Sequence, residues 1–192
     1  MDRTVRRKRP LEDPLTAPAK AALRAFDPDR DYPAIRRCFV ELQETERALD
    51  PAMPAGEDVA DAYLALLFER CREFAGAVIV AEVDGEVAGY AAVWTRFVSD
   101  EPDDDPRAHG HLADLVVAAP YRARGIGRML LRAAEDRVRE AGVPVFCLGV
   151  KAGNDPALAL YASEGFRETE LVLVKSLHPP APRRRPARRR AQ

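Results

Sequence analysis

Residues 112–128, with the sequence LADLVVAAPYRARGIGR, decide the fold. The apolar start is typical of a buried strand, and Gly125 and Gly127 stand where an amphipathic helix begins. The first turn of a helix has backbone N–H groups without intrahelical partners, and this end of the helix dipole is positive. Glycine lets an anion approach that backbone closely. The stretch therefore predicts a pyrophosphate site at a helix start, with positive charge added by Arg122, Arg124 and Arg128.

Two other phosphate-binding motifs do not fit this stretch. The dinucleotide fingerprint needs a third glycine three residues after the second, and Leu130 stands there. The P-loop needs Lys and then Ser or Thr after its last glycine, whereas Arg128 and Met129 follow Gly127. An ordinary helix start with two glycines is the alternative, because glycine pairs are common in turns.

Hydrophobic periodicity along the rest of the chain predicts alternating strands and helices. In chain order we expect a strand at 22–26, helices at 32–48 and 59–74, a hairpin of Ala77–Val83 and Glu86–Phe97, a strand at 112–117, a helix at 126–141, a strand at 145–150, a helix capped by Asn154 or Asp155, and a last strand at 166–177. The order β-α-α-β-β-β-α-β-α-β indicates an α/β or α+β fold, a sheet covered by helices.

Two motifs together resemble a known family. Residues 122–127, RARGIG, match the Arg/Gln-x-x-Gly-x-Gly/Ala signature of the GCN5-related N-acetyltransferase (GNAT) superfamily, and Asn154, Leu160-Tyr161 and Gly165-Phe166 resemble its second signature. The resemblance covers residues 22–177. It implies the GNAT fold, with a mixed central sheet of six to seven strands flanked by four helices. It also implies an enzyme that moves an acetyl group from acetyl-CoA to a primary amine in a ternary complex.

The resemblance also implies where acetyl-CoA binds. The strand edge at Leu115, Val116 and Val117 would pair with the pantetheine arm, and an N–H there would polarise the thioester carbonyl. Asn154 would bond the pantetheine or line the gap between two parted strands. The pyrophosphate would lie on the turn and helix start formed by Arg122, Ala123, Arg124, Gly125, Ile126, Gly127 and Arg128.

Two residues are the candidates for proton transfer. Tyr161 matches the family tyrosine that protonates the leaving thiolate, with packing as its structural alternative. His111 precedes the cofactor strand at a position where several family members carry the general base, Glu in some and His in others. An imidazole with a pKa of about 6.5 can accept an ammonium proton near neutral pH. Asp114 and a water relay are the alternatives to His111, and for Asp114 a structural role or a position facing the acceptor are further alternatives.

Charge is unevenly distributed along the 192 residues. The formal net charge is −1, but residues 21–177 carry −10 between two basic ends. We expect residues 1–20 to be a basic, disordered segment, residues 21–177 to be the N-acetyltransferase domain, and residues 178–192 to be an Arg/Pro-rich disordered tail. The acidic middle argues against nucleic-acid binding except through this tail. The acidic loop at 99–106 either attracts a cationic amine or is simply solvated.

The remaining composition indicates location and partners. Three widely spaced cysteines without ligand spacing argue against disulfides and structural zinc, so we expect a cytoplasmic protein without a metal. No apolar run approaches the roughly 20 residues that cross a bilayer, and no apolar region follows Arg9 as in a secretory signal. The expected partner is a small-molecule or peptide amine, and not a membrane. Family members are often homodimers. An acyl-CoA-binding regulatory module with little turnover is the alternative function.

Overall fold

One mixed sheet forms the centre of the fold. A computed structural model describes residues 21–99, 106–175 and 177. In this part of the chain β1, β2 and β3 are each antiparallel to the next strand, and β5 runs parallel to β4. The five strands lie in the sheet in chain order: β1 (Ala22–Ala25), β2 (Ala77–Val83), β3 (Glu86–Phe97), β4 (His109–Val117) and β5 (Phe146–Leu148).

Helices cover both faces of the sheet. One face packs against α1 (Pro28–Leu49) and α2 (Gly56–Glu73), in a core that includes Ile35, Leu64 and Tyr90. The other face packs against α3 (Ile126–Glu140), while α4 (Asp155–Ser163) adds partly buried side chains to the same core. Burying a side chain such as Leu130 of α3 contributes about 1.5–3 kcal/mol. The three-layer arrangement confirms the predicted fold class.

The first two helices begin earlier than their periodicity predicts. The start of α1 is set by Asp27, whose carboxylate accepts a hydrogen bond from the N–H of Asp29 at 3.1 Å. Pro28 then occupies the first helical position, where its missing N–H costs nothing. Hydrophobic periodicity detects only the apolar face, so it places both starts at the first large apolar residues, Tyr32 and Val59. Within the described residues, no helix is long and apolar enough to cross a membrane.

The predicted last strand is absent. Residues 166–175 form neither helix nor strand, so the sheet in the described part of the chain has five strands and not six or seven. The apolar side chains from Leu171 to Val174 are 72–90% exposed. Their pattern reflects strand propensity, but a strand also needs a partner. In this structure β5 is only three residues long, which gives the segment little edge to pair with.

Candidate active site

A β-bulge re-aims the side chains of β4 in the middle of the sheet. The pairing with β3 shifts register between Ala92 and Val93, which leaves Ala113 as an extra residue. Residues three apart on a regular strand lie on opposite faces. Here the bulge places His111 and Asp114 on the same face, towards α2. Two polar side chains from one strand are thereby brought to one side of the sheet.

A gap opens between β4 and β5. The two strands pair over only three positions, the last being Leu112 opposite Leu148. Beyond that pair, β4 continues to Val117 along β3, while Gly149 and Val150 line the gap. Peptide N–H and C=O groups on an unpaired strand edge can receive an extended ligand.

The predicted pantetheine strand lies along this gap. Leu115 lines the gap, and its side chain is half-buried. Val116 is buried in the core on the α1 and α2 side, and Val117 packs towards α3. On their other side all three pair with β3, so this stretch of β4 is held rigidly beside the opening.

The start of α3 is exposed and opened by a glycine. Gly125 has φ 81°, a left-handed conformation that favours glycine, and an added Cβ there would meet no atom within 4 Å. The first helical hydrogen bond runs from the N–H of Met129 to the carbonyl of Gly125 at 3.1 Å. The N–H groups of Ile126, Gly127 and Arg128 precede that bond. This backbone can therefore receive an anion.

Arg122 ties the turn before α3 to the rest of the fold. Its guanidinium ion-pairs with Glu41 of α1, and its Nε donates to the carbonyl of Val117 at 3.0 Å. Glu41 also accepts from the N–H of Ala119 at 3.3 Å. Arg122 thus positions the turn, and Glu41 already balances part of its charge.

The other two arginines of the turn differ from each other. Arg128 lies 2.9 Å from the carboxylate of Glu164, which fastens α3 to the end of α4. Arg124 lies over the ring of Tyr121 at 5.7 Å and forms no ion pair among the described residues. Of the three predicted positive charges, Arg124 is the one most available to a bound anion. Beside it, Ala123 has φ 59°, a second left-handed residue in the turn.

Two adjoining cavities lie beside β4. The first, which we call the Trp94 cavity, has a volume of about 290 Å³ and lies between α2 and the amino half of β4. The second, the Tyr161 cavity, has a volume of about 240 Å³ and lies in the gap between β4 and β5. Tyr63 and Ala113 line both cavities, so the two adjoin. Predicted residues line each: His111 the first, and Leu115, Asn154 and Tyr161 the second.

Tyr161 reaches the second cavity from α4. Burial, together with the negative charges of Glu46 and Asp114, raises the pKa of its phenol to about 12. The hydroxyl is therefore protonated throughout the neutral range and can donate a proton. Asn154 caps the same helix, with its side-chain oxygen accepting from the N–H of Ala157 at 3.4 Å.

Glu46 is a residue of the site that the sequence did not reveal. It extends from α1 into the Tyr161 cavity, and burial raises the pKa of its carboxyl, although the charge of Lys151 opposes that shift. Leu42 and Gln43 line the same cavity at helical spacing, so one face of α1 forms a wall. An acid among several on a helix gives no recognisable signal without the fold.

His111 reaches the Trp94 cavity. Its ring stacks on that of Trp94, with centroids 4.9 Å apart. Burial lowers the pKa of the imidazole, and the neighbouring charge of His109 lowers it further. A neutral ring at pH 7 can accept a proton. The guanidinium of Arg70 lies 5.5 Å from the centroid of the Trp94 ring and puts one positive charge at this cavity.

Asp114 is engaged by two tyrosines. Its two carboxylate oxygens accept hydrogen bonds of 2.7 Å from the hydroxyls of Tyr63 and Tyr90. Burial raises the pKa of Asp114, and these two hydrogen bonds oppose the shift. With both oxygens occupied, Asp114 holds the wall between the cavities in place. The structure thus favours the structural interpretation of this residue over the catalytic one.

A mixed sheet with two parted strands lies beside an open helix start, an arrangement that can receive an extended ligand with a phosphate group at one end. Known proteins agree with this architecture. The sequence pattern of the acetyltransferase (GNAT) family matches residues 39–166. The chain belongs to this family.

Individual relatives have related names. An N-alpha-acetyltransferase of Sulfurisphaera tokodaii is 34% identical over 107 residues, which cover 54% of this chain and 64% of that protein. The crystal structure of a ribosomal-protein-alanine N-acetyltransferase from Brucella melitensis is 30% identical with a TM-score of 0.60, covering 78% of this chain and 86% of that one. The structure of AAC(6')-Iy in complex with a bisubstrate analogue, CoA-S-monomethyl-acetylneamine, shares the fold at 21% identity. Its TM-score is 0.59, with 83% of this chain and 99% of that chain covered. The chain spans less than two thirds of the length of the curated relatives it matches.

Proposed function

We propose that this protein transfers an acetyl group from acetyl-CoA to a primary amine, by direct attack within a ternary complex. The observation that carries this proposal is the gap between β4 and β5, which opens next to the exposed start of α3. One extended ligand can follow the strand edge and end on the helix start. Both halves of that ligand find the backbone donors they need.

The cofactor side is assigned to the turn and to β4. The N–H groups from Ala123 to Arg128 would hold the diphosphate, with Arg124 adding charge. The edge of β4 at Leu115, Val116 and Val117 would pair with the pantetheine amides. Asn154 keeps its side-chain NH₂ as a donor towards the same gap, because its oxygen is the atom that caps α4.

The leaving group is assigned to Tyr161. Expulsion of CoA needs a proton on sulfur, and a phenol that stays protonated at neutral pH can supply it. Tyr161 lines the gap where the thioester would lie. Its ring packs against Phe166 with centroids 5.8 Å apart, which holds the side chain in place. Packing and proton donation are therefore compatible at this position.

The general base is assigned to His111. The acceptor amine must lose a proton as it attacks, and a neutral imidazole in the Trp94 cavity can take it. Proximity of the two substrates supplies much of the remaining acceleration. Glu46 is the second candidate, because its carboxylate lies in the Tyr161 cavity and its pKa is raised towards neutrality.

The acceptor is assigned to the Trp94 cavity, and Glu46 lies in the adjoining Tyr161 cavity. Leu66, Leu67 and Trp94 offer an apolar wall, and Arg70 adds one cation. The curated relatives include an N-alpha-acetyltransferase and a streptothricin acetyltransferase. Both names are consistent with a small-molecule or peptide amine as the acceptor here.

We also propose a reducing, cytoplasmic location. Cys38 and Cys71 are buried thiols, and burial raises the pKa of each to about 11. Homodimer formation stays a prediction. The nucleic-acid role of residues 178–192, the disordered state of both ends and the role of the acidic loop fall largely on residues outside the described part of the chain.

A turnover screen tests the proposed function. Purified protein is mixed with acetyl-CoA and pooled primary amines, and released CoA is measured with a thiol reagent. We expect release in at least one pool, together with an amine product that has gained one acetyl group. Calorimetric binding of CoA without release in any pool would favour the acyl-CoA-binding module instead. Well-folded protein that does not bind CoA would overturn both assignments.

A further inference from the structure

Three side chains with metal-binding atoms converge at the amino end of β4. His109 and His111 lie on one face of this strand, and Cys147 of β5 lies opposite His111 in the parallel pairing. The Sγ atom and one ring nitrogen of each histidine all lie within 4.8 Å of one another. We propose that His109, His111 and Cys147 form a zinc-binding site.

The distances fit a tetrahedral metal ion after a small adjustment. Ligand atoms about 2.0–2.3 Å from zinc are about 3.4–3.7 Å apart from each other in a tetrahedron. The Sγ of Cys147 and the Nδ1 of His111 are already 3.5 Å apart. The remaining contacts, at up to 4.8 Å, close by rotation of the His109 side chain, which is only half-buried.

The surroundings hold the ligands in place. His111 stacks on Trp94, and the ring of His109 contacts Phe97 edge-on with centroids 5.1 Å apart. The Cys147 thiol donates a hydrogen bond to the carbonyl oxygen of Gly110 at 3.4 Å, which positions the sulfur until the thiol loses its proton. The ring contacts restrict the rotation of both imidazoles.

The ligand chemistry selects the metal. One thiolate and two imidazoles suit Zn²⁺ and related late transition metals, and they do not suit Mg²⁺ or Ca²⁺, which prefer oxygen. On binding, Cys147 gives up its thiol proton to solvent and both histidines donate a neutral nitrogen lone pair. Nothing is oxidised or reduced. Three protein ligands leave a fourth position for water, which differs from the four protein ligands of a structural zinc site.

Zinc at this site inhibits acetyl transfer. This consequence rests on the proposed function, in which His111 accepts the proton of the acceptor amine. A lone pair that coordinates zinc cannot accept a proton. Of the three ligands, His111 lines the Trp94 cavity, so coordination also fixes the orientation of its ring there. The site therefore links catalysis to the concentration of free zinc.

Cobalt titration tests the site directly. Untagged, full-length protein is stripped with a chelator and titrated with Co²⁺, which replaces zinc and absorbs visible light. We expect a thiolate-to-cobalt charge-transfer band in the near ultraviolet and strong four-coordinate bands in the visible. Cys147→Ser abolishes the charge-transfer band, and His109→Asn weakens the affinity about tenfold or more. The matched controls Cys71→Ala and His178→Asn retain both. No band in the wild type, or an equal band in Cys147→Ser, would overturn the proposal.

Inhibition is measured on the same proteins. We expect Zn²⁺ to inhibit acetyl transfer by the wild type at the concentrations that displace cobalt. For His109→Asn, the Zn²⁺ concentration that halves its own uninhibited rate should be about tenfold higher. A cobalt spectrum without acetyl transfer under chelator would refute the proposed function and leave the metal site standing. Acetyl transfer without a cobalt spectrum would refute the metal site and leave the proposed function standing. Zinc binding without inhibition would refute the regulatory consequence.

Discussion

The two cavities beside β4 are built in different ways. The Tyr161 cavity lies in the gap that leads to the start of α3, and the proposed cofactor assignment there uses mainly the backbone of β4 and of the turn. The Trp94 cavity joins side chains from α2, β3 and β4, which are distant in sequence. The proposed cofactor contacts are thus mostly with backbone groups, and the proposed acceptor contacts are with side chains. Cofactor binding should therefore tolerate side-chain changes that acceptor chemistry does not.

The largest effect expected is that of Tyr161→Phe, which removes the proposed proton donor. We expect kcat to fall about 1,000-fold, within the usual range for a general acid. The dissociation constant of acetyl-CoA should change little, since the phenyl ring and its packing against Phe166 remain. Single-turnover kinetics and calorimetry measure the two quantities. Tyr32→Phe, whose hydroxyl bonds Asp61 away from both cavities, is the control. Unchanged kcat would remove Tyr161 from the mechanism.

His111→Gln and Glu46→Gln distinguish the two candidate bases. Burial lowers the pKa of His111 below 6.5, so the imidazole is mostly neutral at pH 6.5 and above. Wild-type kcat/KM should therefore decline only when the pH falls below 6.5. We expect His111→Gln to lower kcat/KM about 100-fold at neutral pH and to remove this decline. Glu46→Gln should retain it. Profiles are recorded with a chelator present. If the decline disappears in Glu46→Gln instead, the base lies in the Tyr161 cavity.

Asp114→Ala tests whether the wall between the cavities is structural. It leaves the hydroxyls of Tyr63 and Tyr90 without their acceptor, and we expect the free energy of unfolding to fall by about 2 kcal/mol. Asp114→Asn keeps one side-chain acceptor and should cost less. Urea unfolding measures both. An Asp114→Ala protein with full stability and no turnover would show that the carboxylate acts in catalysis.

The smallest effect is expected on the cofactor side, from Gly125→Val. A β-branched residue at φ 81° is strained by about 1–2 kcal/mol, and its side chain would enter the open space that we assign to the diphosphate, so we expect the affinity for CoA to fall about tenfold while the fold persists. Gly142→Val is a matched control, since Gly142 follows the other end of α3, has φ 71° and also has open space around it. Equal CoA affinity in the two variants would contradict the assignment of the turn.

The same contrast explains how much the sequence could predict. The start of α3 was predictable because the strand, the turn and the glycines are contiguous and each has a local conformational meaning. Glu46 and Cys147 gave no such signal, since each joins the site only through tertiary packing; Cys147 lies 36 residues from His111. The bulge at Ala113 was also invisible, because it depends on the register with β3. The prediction of a strand at 166–177 was wrong for the described residues, because alternating apolar and polar side chains indicate a strand but do not specify the strand it pairs with.

The contacts of Glu41 have a mechanical consequence. One carboxylate on α1 binds both the Arg122 side chain and the N–H of Ala119. A displacement of the turn that we assign to the diphosphate is therefore transmitted to α1. Five residues further along that helix stands Glu46, which lines the Tyr161 cavity. Occupation of the proposed diphosphate site can thus be sensed at the Tyr161 cavity through one ion pair and about one and a half turns of helix.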